Sequence, residues 1–281
     1  MKKHSSRLRH VVTVSAVSAI VVVYLFPIYW LVMTSMKGEG ELYESVPTLI
    51  VKHPTLESFG RLFTDHEFGD LITNSLLVCS ITAVACLALS LTIAYPLARL
   101  RFSEKRKIAI LNWLLSLRFL PPIAVVVPYF SVIKFVGLYD NILALVIVYT
   151  LFNLPLTIWM LYNIMSEIPR DIEEAAFIDG ADRLVAFRKI VLPLAVPGIL
   201  AATVMIFGFS WSEFLFALIL TASPDAQTFT VGLNGLVTQF QIIWNEMAAA
   251  AVIIILIPLA LMVIARKYVI AGLTFGAIRE K

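Results

Sequence analysis

Ser166–Pro193 reads SEIPRDIEEAAFIDGADRLVAFRKIVLP, and the rest of the chain is best understood outward from it. Pro169 suits the first turn of a helix, where its missing N–H is not needed. Ile172, Ala175, Ala176 and Ile178 then share one face, with Asp171, Glu173, Glu174 and Asp179 around them. Gly180 stands where a helix ends in the left-handed conformation. Asp182 can cap a second short helix, in which Leu184, Phe187 and Val191 return at helical spacing before Pro193 opens an apolar run. The reading is a helix–Gly–helix hairpin, soluble in water but carrying an apolar ridge that fits a groove on a partner. A hairpin lying on lipid headgroups is the alternative. Headgroup-seeking helices are basic on their polar face, whereas this first helix is acidic and anionic lipid would repel it.

The hairpin interrupts a chain built for a membrane. Of its 281 residues 60% are hydrophobic and 15% charged, against about 45–50% and about 25% in soluble domains. A helix needs about 20 apolar residues to cross the hydrocarbon core. Six segments meet that length: Val11–Met33, Leu71–Ala98, Ala109–Ile133, Asn141–Asn163, Leu194–Leu220 and Met247–Ala265. The first follows four cations but is too long for a signal-peptide core and lacks a cleavage site, so it reads as a retained anchor. Lys and Arg then set the orientation. Seventeen fall in the N-terminus, Arg99–Ile108, Met165–Pro193 and the tail, and four in the opposite loops. Both termini are therefore expected in the cytoplasm. The layout is a cytoplasmic N-terminus (1–10), a six-helix transmembrane domain (11–265, coupling loop 165–193) and a cytoplasmic tail (266–281).

The remaining cation, Arg118, lies inside the third segment, where a charge costs on the order of 3 kcal/mol. Pro121, Pro122 and Pro128 follow it, so a break or kink is expected there. Glu213 is the matching oddity of the fifth segment. The two can pair across the bundle or meet separate partners, and the sequence leaves both open. Cys79 and Cys86 lie about 10 Å apart along one helix, beyond disulfide reach. The four histidines fall outside the apolar blocks and no HExxH or CxxC spacing occurs, so no metal site is expected. No catalytic dyad and no basic tail for nucleic acid is found. None of the twelve glycines precedes a lysine, which rules out a GxxxxGK[ST] phosphate loop in this chain.

Glu174-Ala175-Ala176, then Gly180, then Ile190-x-Leu192-Pro193 reproduce the spacing of the EAA loop, and here the chain resembles the membrane subunits of binding-protein-dependent ABC importers. Asp179-Gly180-Ala181, Phe187-x-x-Ile190, Pro54-Thr55-Leu56 through Asn74-Ser75, and Gly272-Leu273-Thr274-x-Gly276-Ala277 point to the carbohydrate branch, of the maltose-type second-permease kind. The resemblance implies an all-α membrane protein of the ABC type I importer permease fold, with six transmembrane helices and a cytoplasmic coupling loop, in a bacterial inner membrane. It implies a second homologous permease subunit, a dimer of ATP-binding subunits, an extracytoplasmic solute-binding protein and surrounding lipid as partners. No cofactor belongs to this chain; ATP and Mg sit on the partner ATPase. In such a complex Glu174 meets a basic group on the ATPase, Ala175 and Ala176 permit close approach, and Gly180 makes the bend. The tail reaches between the ATPase subunits.

On the outer side, Thr221–Glu246 carries no Lys or Arg. Asn234, Gln239, Gln241 and Trp244 suit sugars, and Gly232 and Gly235 suit mobility. By resemblance this loop enters the binding protein's cleft, although a plain capping loop explains the same residues. The acids of Lys37–Asp70 form a solvated surface for that protein. Within the same class, a polyol or glycerophosphodiester is an alternative solute. A secondary transporter is the alternative of a different class, against which the absence of internal symmetry speaks.

Overall fold

A computed structural model describes residues 2–44, 46–100, 102–237 and 242–274, with side chains for residue 10 and from residue 12 to 267 within those stretches. Among the described residues the structure is helical, with one isolated bridge between Val237 and Ile242. The helices are α1 (Lys2–Ser35), α2 (Glu39–Leu42), α3 (Glu57–Thr64), α4 (Phe68–Arg99), α5 (Glu104–Arg118), α6 (Pro122–Phe135), α7 (Ile142–Glu167), α8 (Arg170–Ile178), α9 (Arg183–Ala186), α10 (Leu192–Trp211), α11 (Leu215–Leu220), α12 (Phe229–Gly235) and α13 (Trp244–Thr274).

Four predicted spans fall within α1, α4, α7 and α13; Asn141, the first residue of the fourth, is the N-cap of α7. The other two are not single helices. The third divides into α5 and α6, bent by 87° where Pro121 and Pro122 forbid continuation. Among the described residues five helices are long and apolar enough to cross a membrane, or six when this bent pair is taken as one span. The fifth predicted span, Leu194–Leu220, is also corrected: α10 ends at Trp211 and α11 starts at Leu215, with Glu213 in the break. Its start moves too. The second arm of the hairpin runs from α9 into α10 without interruption, through a π turn at Phe187–Val191. The Leu192 N–H reaches back five residues to the Phe187 carbonyl, and that wider turn makes room for Pro193, whose ring clashes with the carbonyl four residues back in a regular helix. Proline also sits inside α1, α4, α6, α7, α10 and α13, a frequency characteristic of membrane helices.

The chain divides into two compact units, Met1–Glu67 with Leu233–Ile257 and Phe68–Gly232 with Pro258–Lys281. In the larger, α4 packs along α7 and α10. Lipid supplies little hydrophobic drive between helices, so close approach through small residues matters more. Ala94, Ala98, Ala195 and Ala202 accordingly pack with Leu161, Met165 and Val191. Gly198 faces Ile164 so closely that a Cβ would stand 2.6 Å from its Cδ1. A second cluster gathers Tyr149, Leu145 and Val148 of α7 with Val126 of α6 and Phe216 of α11. Cys79 and Cys86 are free and buried.

In the smaller unit, the face of α1 from residue 12 to 29 is exposed, as suits a helix surrounded by lipid. Its far end is tied down: the Tyr29 hydroxyl donates to the Leu49 carbonyl, and Lys37 donates to the Thr48 carbonyl at 2.6 Å while lying 5.1 Å above the Trp30 ring. The acids here are more engaged than a solvated surface requires. Glu44 pairs with Lys52 at 2.7 Å, Glu57 with Arg61 at 2.6 Å, and buried Glu246 accepts from His66 at 2.9 Å. These contacts hold the Lys52 and Arg61 pKa values above their ordinary ones, chiefly through the hydrogen bonds to Glu44 and Glu57.

Candidate functional site

The hairpin is built as its residues dictate. Pro169 precedes α8, Gly180 takes φ +86°, and the Asp182 carboxylate accepts the Val185 N–H at 2.7 Å to start α9. Gly180 is one of two glycines at positive φ among the described residues, and a side chain there would be strained whatever the space around it. Glu174 and Ala175 are exposed, Ala176 is half-buried, and Asp179 closes α8 as its C-cap. Ile190 and Leu192 are partly buried where the second arm enters α10, and Pro193 lies in the first turn of α10.

What α8 buries is unexpected. Glu173 is its one buried residue, 3% exposed, while Ile172, Phe177 and Ile178 are exposed, Ile178 at 87%. The helix turns one of its three acids inward and leaves Ile172, Phe177 and Ile178 exposed. Glu173 forms an ion pair with Arg99 at the end of α4 and accepts the Tyr95 hydroxyl at 3.0 Å. Arg99 also donates to the Ile168 carbonyl at 3.1 Å, and Arg170 donates back to the Ala98 carbonyl at 3.0 Å. The Tyr95 ring packs 4.6 Å from that of Phe187 in the second arm. Helix α4 is about 48 Å long, longer than the roughly 30 Å hydrocarbon core, so its last turns project to meet the hairpin. Burying two charges costs several kcal/mol per ion, an amount offset only by pairing with additional hydrogen bonds, and both are present. Beside the joint lies a cavity of about 480 Å³ lined in part by Arg99, Arg170, Arg183, Glu173 and Glu174.

Sequence reasoning passed over Tyr95, Arg99, Arg170 and Glu173. A signal existed. Tyr95 and Arg99 are four apart and share a helix face. Glu173 and Glu174 are adjacent on a helix and must point about 100° apart, so one turns toward the permease when the other turns away.

Deeper in the unit, Arg118 and Glu213 do not pair. Arg118 lies about 21 Å along α5 from Glu104, donates to the Phe152 carbonyl at 3.2 Å, and sits 4.3 and 5.0 Å from the rings of Phe152 and Phe209. The Glu213 carboxylate accepts the N–H groups of Phe216 and Ala217 at 3.0–3.3 Å and caps α11.

Of the outer-loop residues, Gly232 belongs to α12, where a Cβ would stand 2.2 Å from Leu71 Cδ1. Its role here is close approach rather than the expected mobility. Asn234 and Gly235 are exposed, and Gln239 and Gln241 lie outside the described residues. The tail expected from Arg266 is helical in α13 through Thr274; positions 275–281 lie outside the described residues.

Long apolar helices, two candidate spans broken, together with a polar hairpin that leaves apolar side chains exposed, mark a multi-pass membrane protein. Residues 90–274 match the family of binding-protein-dependent transport system inner membrane components, and this chain belongs to that family. The sulfoquinovosyl glycerol transport system permease protein of Agrobacterium fabrum is 34% identical, over 94% of this chain and 92% of that protein. The trehalose transport system permease protein of Mycobacterium tuberculosis is 34% identical (91% and 92% covered), and the trehalose/maltose transport system permease protein of Thermococcus litoralis 31% (97% and 98%). The fold is that of a chain in the crystal structure of a bacterial ABC transporter for the acidic polysaccharide alginate, with TM-score 0.77 at 21% identity over 94% of this chain and 97% of that one.

Proposed function

We propose that this chain is one of two permease subunits of a binding-protein-dependent sugar importer, driven by ATP hydrolysed on a separate dimer of ATP-binding subunits. The observation that carries this is the exposed apolar side of α8: Glu173 is buried against α4, while Ile172, Ala175, Ile178 and, at the edge of the joint, Glu174 are exposed. A ridge of that kind suits a groove on a partner. ATP and Mg belong on that partner, and the extracytoplasmic binding protein delivers solute to the opposite side. The distribution of cations supports cytoplasmic termini and hairpin in an inner membrane. The sugar class rests on the relatives named for trehalose, maltose and sulfoquinovosyl glycerol.

Glu174→Lys tests the coupling role. In cells whose own copy is deleted, the variant should reach the membrane at wild-type abundance and take up none of the sugar that the wild-type copy restores. Normal uptake would rule out a role for Glu174 in docking.

One observation favours a second reading, an anionic saccharide. Arg118 has no acidic partner among the described residues, and an intramembrane cation is a functional-site candidate by default. Competition of uptake by a uronate disaccharide but not by its neutral counterpart would support it; the reverse would remove it.

A further inference from the structure

We propose that Glu173 is a positioning residue of transport: clamped between Arg99 and Tyr95, it makes the coupling hairpin and α4 move as one body. The inference rests on the coupling role given to the hairpin above and adds the route by which motion enters the membrane. One route is covalent, since the second arm continues through the π turn at Phe187–Val191 into α10. The first arm has no such continuity. Helix α8 is flanked by the Glu167–Pro169 bend and by Gly180 at positive φ, and neither transmits torque as a helix does.

What ties α8 to the bundle is ionic. It buries no apolar side chain, so packing does little to hold it. In its place stand the Glu173–Arg99 ion pair, the Tyr95 hydroxyl on the same carboxylate, and the Arg170 guanidinium donating to the Ala98 carbonyl of α4, while Arg99 also donates to the Ile168 carbonyl in the bend before α8. An ion pair supported by several hydrogen bonds fixes direction as well as distance, which an apolar contact does not. Adjacent Glu173 and Glu174 thereby divide two tasks, the first gripping the permease and the second facing the ATPase.

The test uses the assembled complex, this chain with its partner permease and ATP-binding subunits, with spin labels at Asp171→Cys on α8 and Leu89→Cys on α4. The native cysteines are buried. With Glu173 intact, the interspin distance should be narrow and the same in nucleotide-free and ATP-bound, hydrolysis-blocked states. Glu173→Gln should broaden it or shift it on ATP binding by about 5 Å, one helical turn. The exchanged pair Arg99→Glu with Glu173→Arg should restore the narrow distribution, an outcome that separates a directional ion pair from a generally weakened hairpin. The ratio of solute moved to ATP hydrolysed should fall at least fivefold in Glu173→Gln and recover in the exchange.

A wild-type distance that itself changes with ATP would overturn the proposal, as would a Gln variant indistinguishable from wild type. Failure of the coupling reading looks different: no ATP-binding subunit copurifies, while Glu173→Gln still broadens the distance in the permease alone.

Discussion

At the hairpin end of the larger unit, Arg99 and Glu173 meet face to face; halfway up the bundle, Arg118 and Glu213 stay apart. Each couple joins one arginine and one glutamate from elements distant in sequence, and composition alone does not distinguish them. The difference lies in what the backbone offers nearby. Around Glu213 the break between α10 and α11 frees N–H groups that the carboxylate accepts, and around Arg118 two phenylalanine rings and the Phe152 carbonyl take the charge. At Glu213 the N–H groups freed by the break find their acceptor locally, whereas the charge of Arg118 is taken up by α7 and α10, outside its own broken span. In the hairpin α9 is capped by Asp182 and the proline is accommodated by the π turn, and Glu173 bonds across elements to Arg99 and Tyr95.

Removing one partner of a buried pair costs far more than an exposed contact does, and this ranks the ways to break the comparison. The largest effect is expected from Arg99→Glu, which leaves two acids buried together. A thermal-stability cycle with Glu173→Arg should give a coupling of about 3 kcal/mol. Next comes Glu213→Leu, which strips the cap from α11 at a cost of about 2 kcal/mol, with Glu213→Gln costing less because its amide oxygen still accepts. The corresponding cycle of Arg118→Gln with Glu213→Gln should couple by no more than about 0.5 kcal/mol, since the two share no partner. A larger value would mean that the pairs are alike after all.

The smallest effect sharpens the rule in water. Asp140, at φ +60° between α6 and α7, accepts the N–H groups of Ser223 and Ala222 at 2.9 and 2.8 Å. These bonds, Ser223's first, hold its carboxyl below the ordinary 3.8. A depressed folded pKa means stability fully present above the unfolded value and lost as the pH falls through the folded one. The advantage of wild type over Asp140→Asn should therefore be constant from neutral pH to about 5 and fade below pH 4, and it should amount to about 1 kcal/mol at this half-buried, solvent-screened site. Melting curves of the two proteins across that range measure it.

Much of this was legible in the sequence because it rests on local chemistry. Pro169, Gly180 and Asp182 act within a turn of themselves: α8 starts after Pro169 and ends before Gly180, and α9 starts after Asp182. Long apolar runs likewise announced α1, α4, α7 and α13. The breaks were harder. Tandem prolines after Arg118 revealed the division of the third span, but nothing as plain marks Ser212–Phe214, where Glu213 stabilises an interruption that hydropathy averages over. The continuity of α9 into α10 was hidden for the opposite reason: Pro193 signals a helix start, and here a π turn, which has no residue signature, carries the helix through it. The Glu173 joint was missed because it is a tertiary choice. Two adjacent acids show that one must turn inward, and only the approach of Arg99 shows which.

The most direct test of the central claim places a photo-crosslinking amino acid at Ile178, the most outward apolar residue of α8, in native membranes. The account predicts one dominant adduct with a separate polypeptide that carries a phosphate-loop ATPase sequence, and loss of that adduct when Glu174→Lys is added. Adducts with lipid alone, at the same yield with and without Glu174→Lys, would mean that the hairpin rests on the headgroups and that this chain does not receive its energy there.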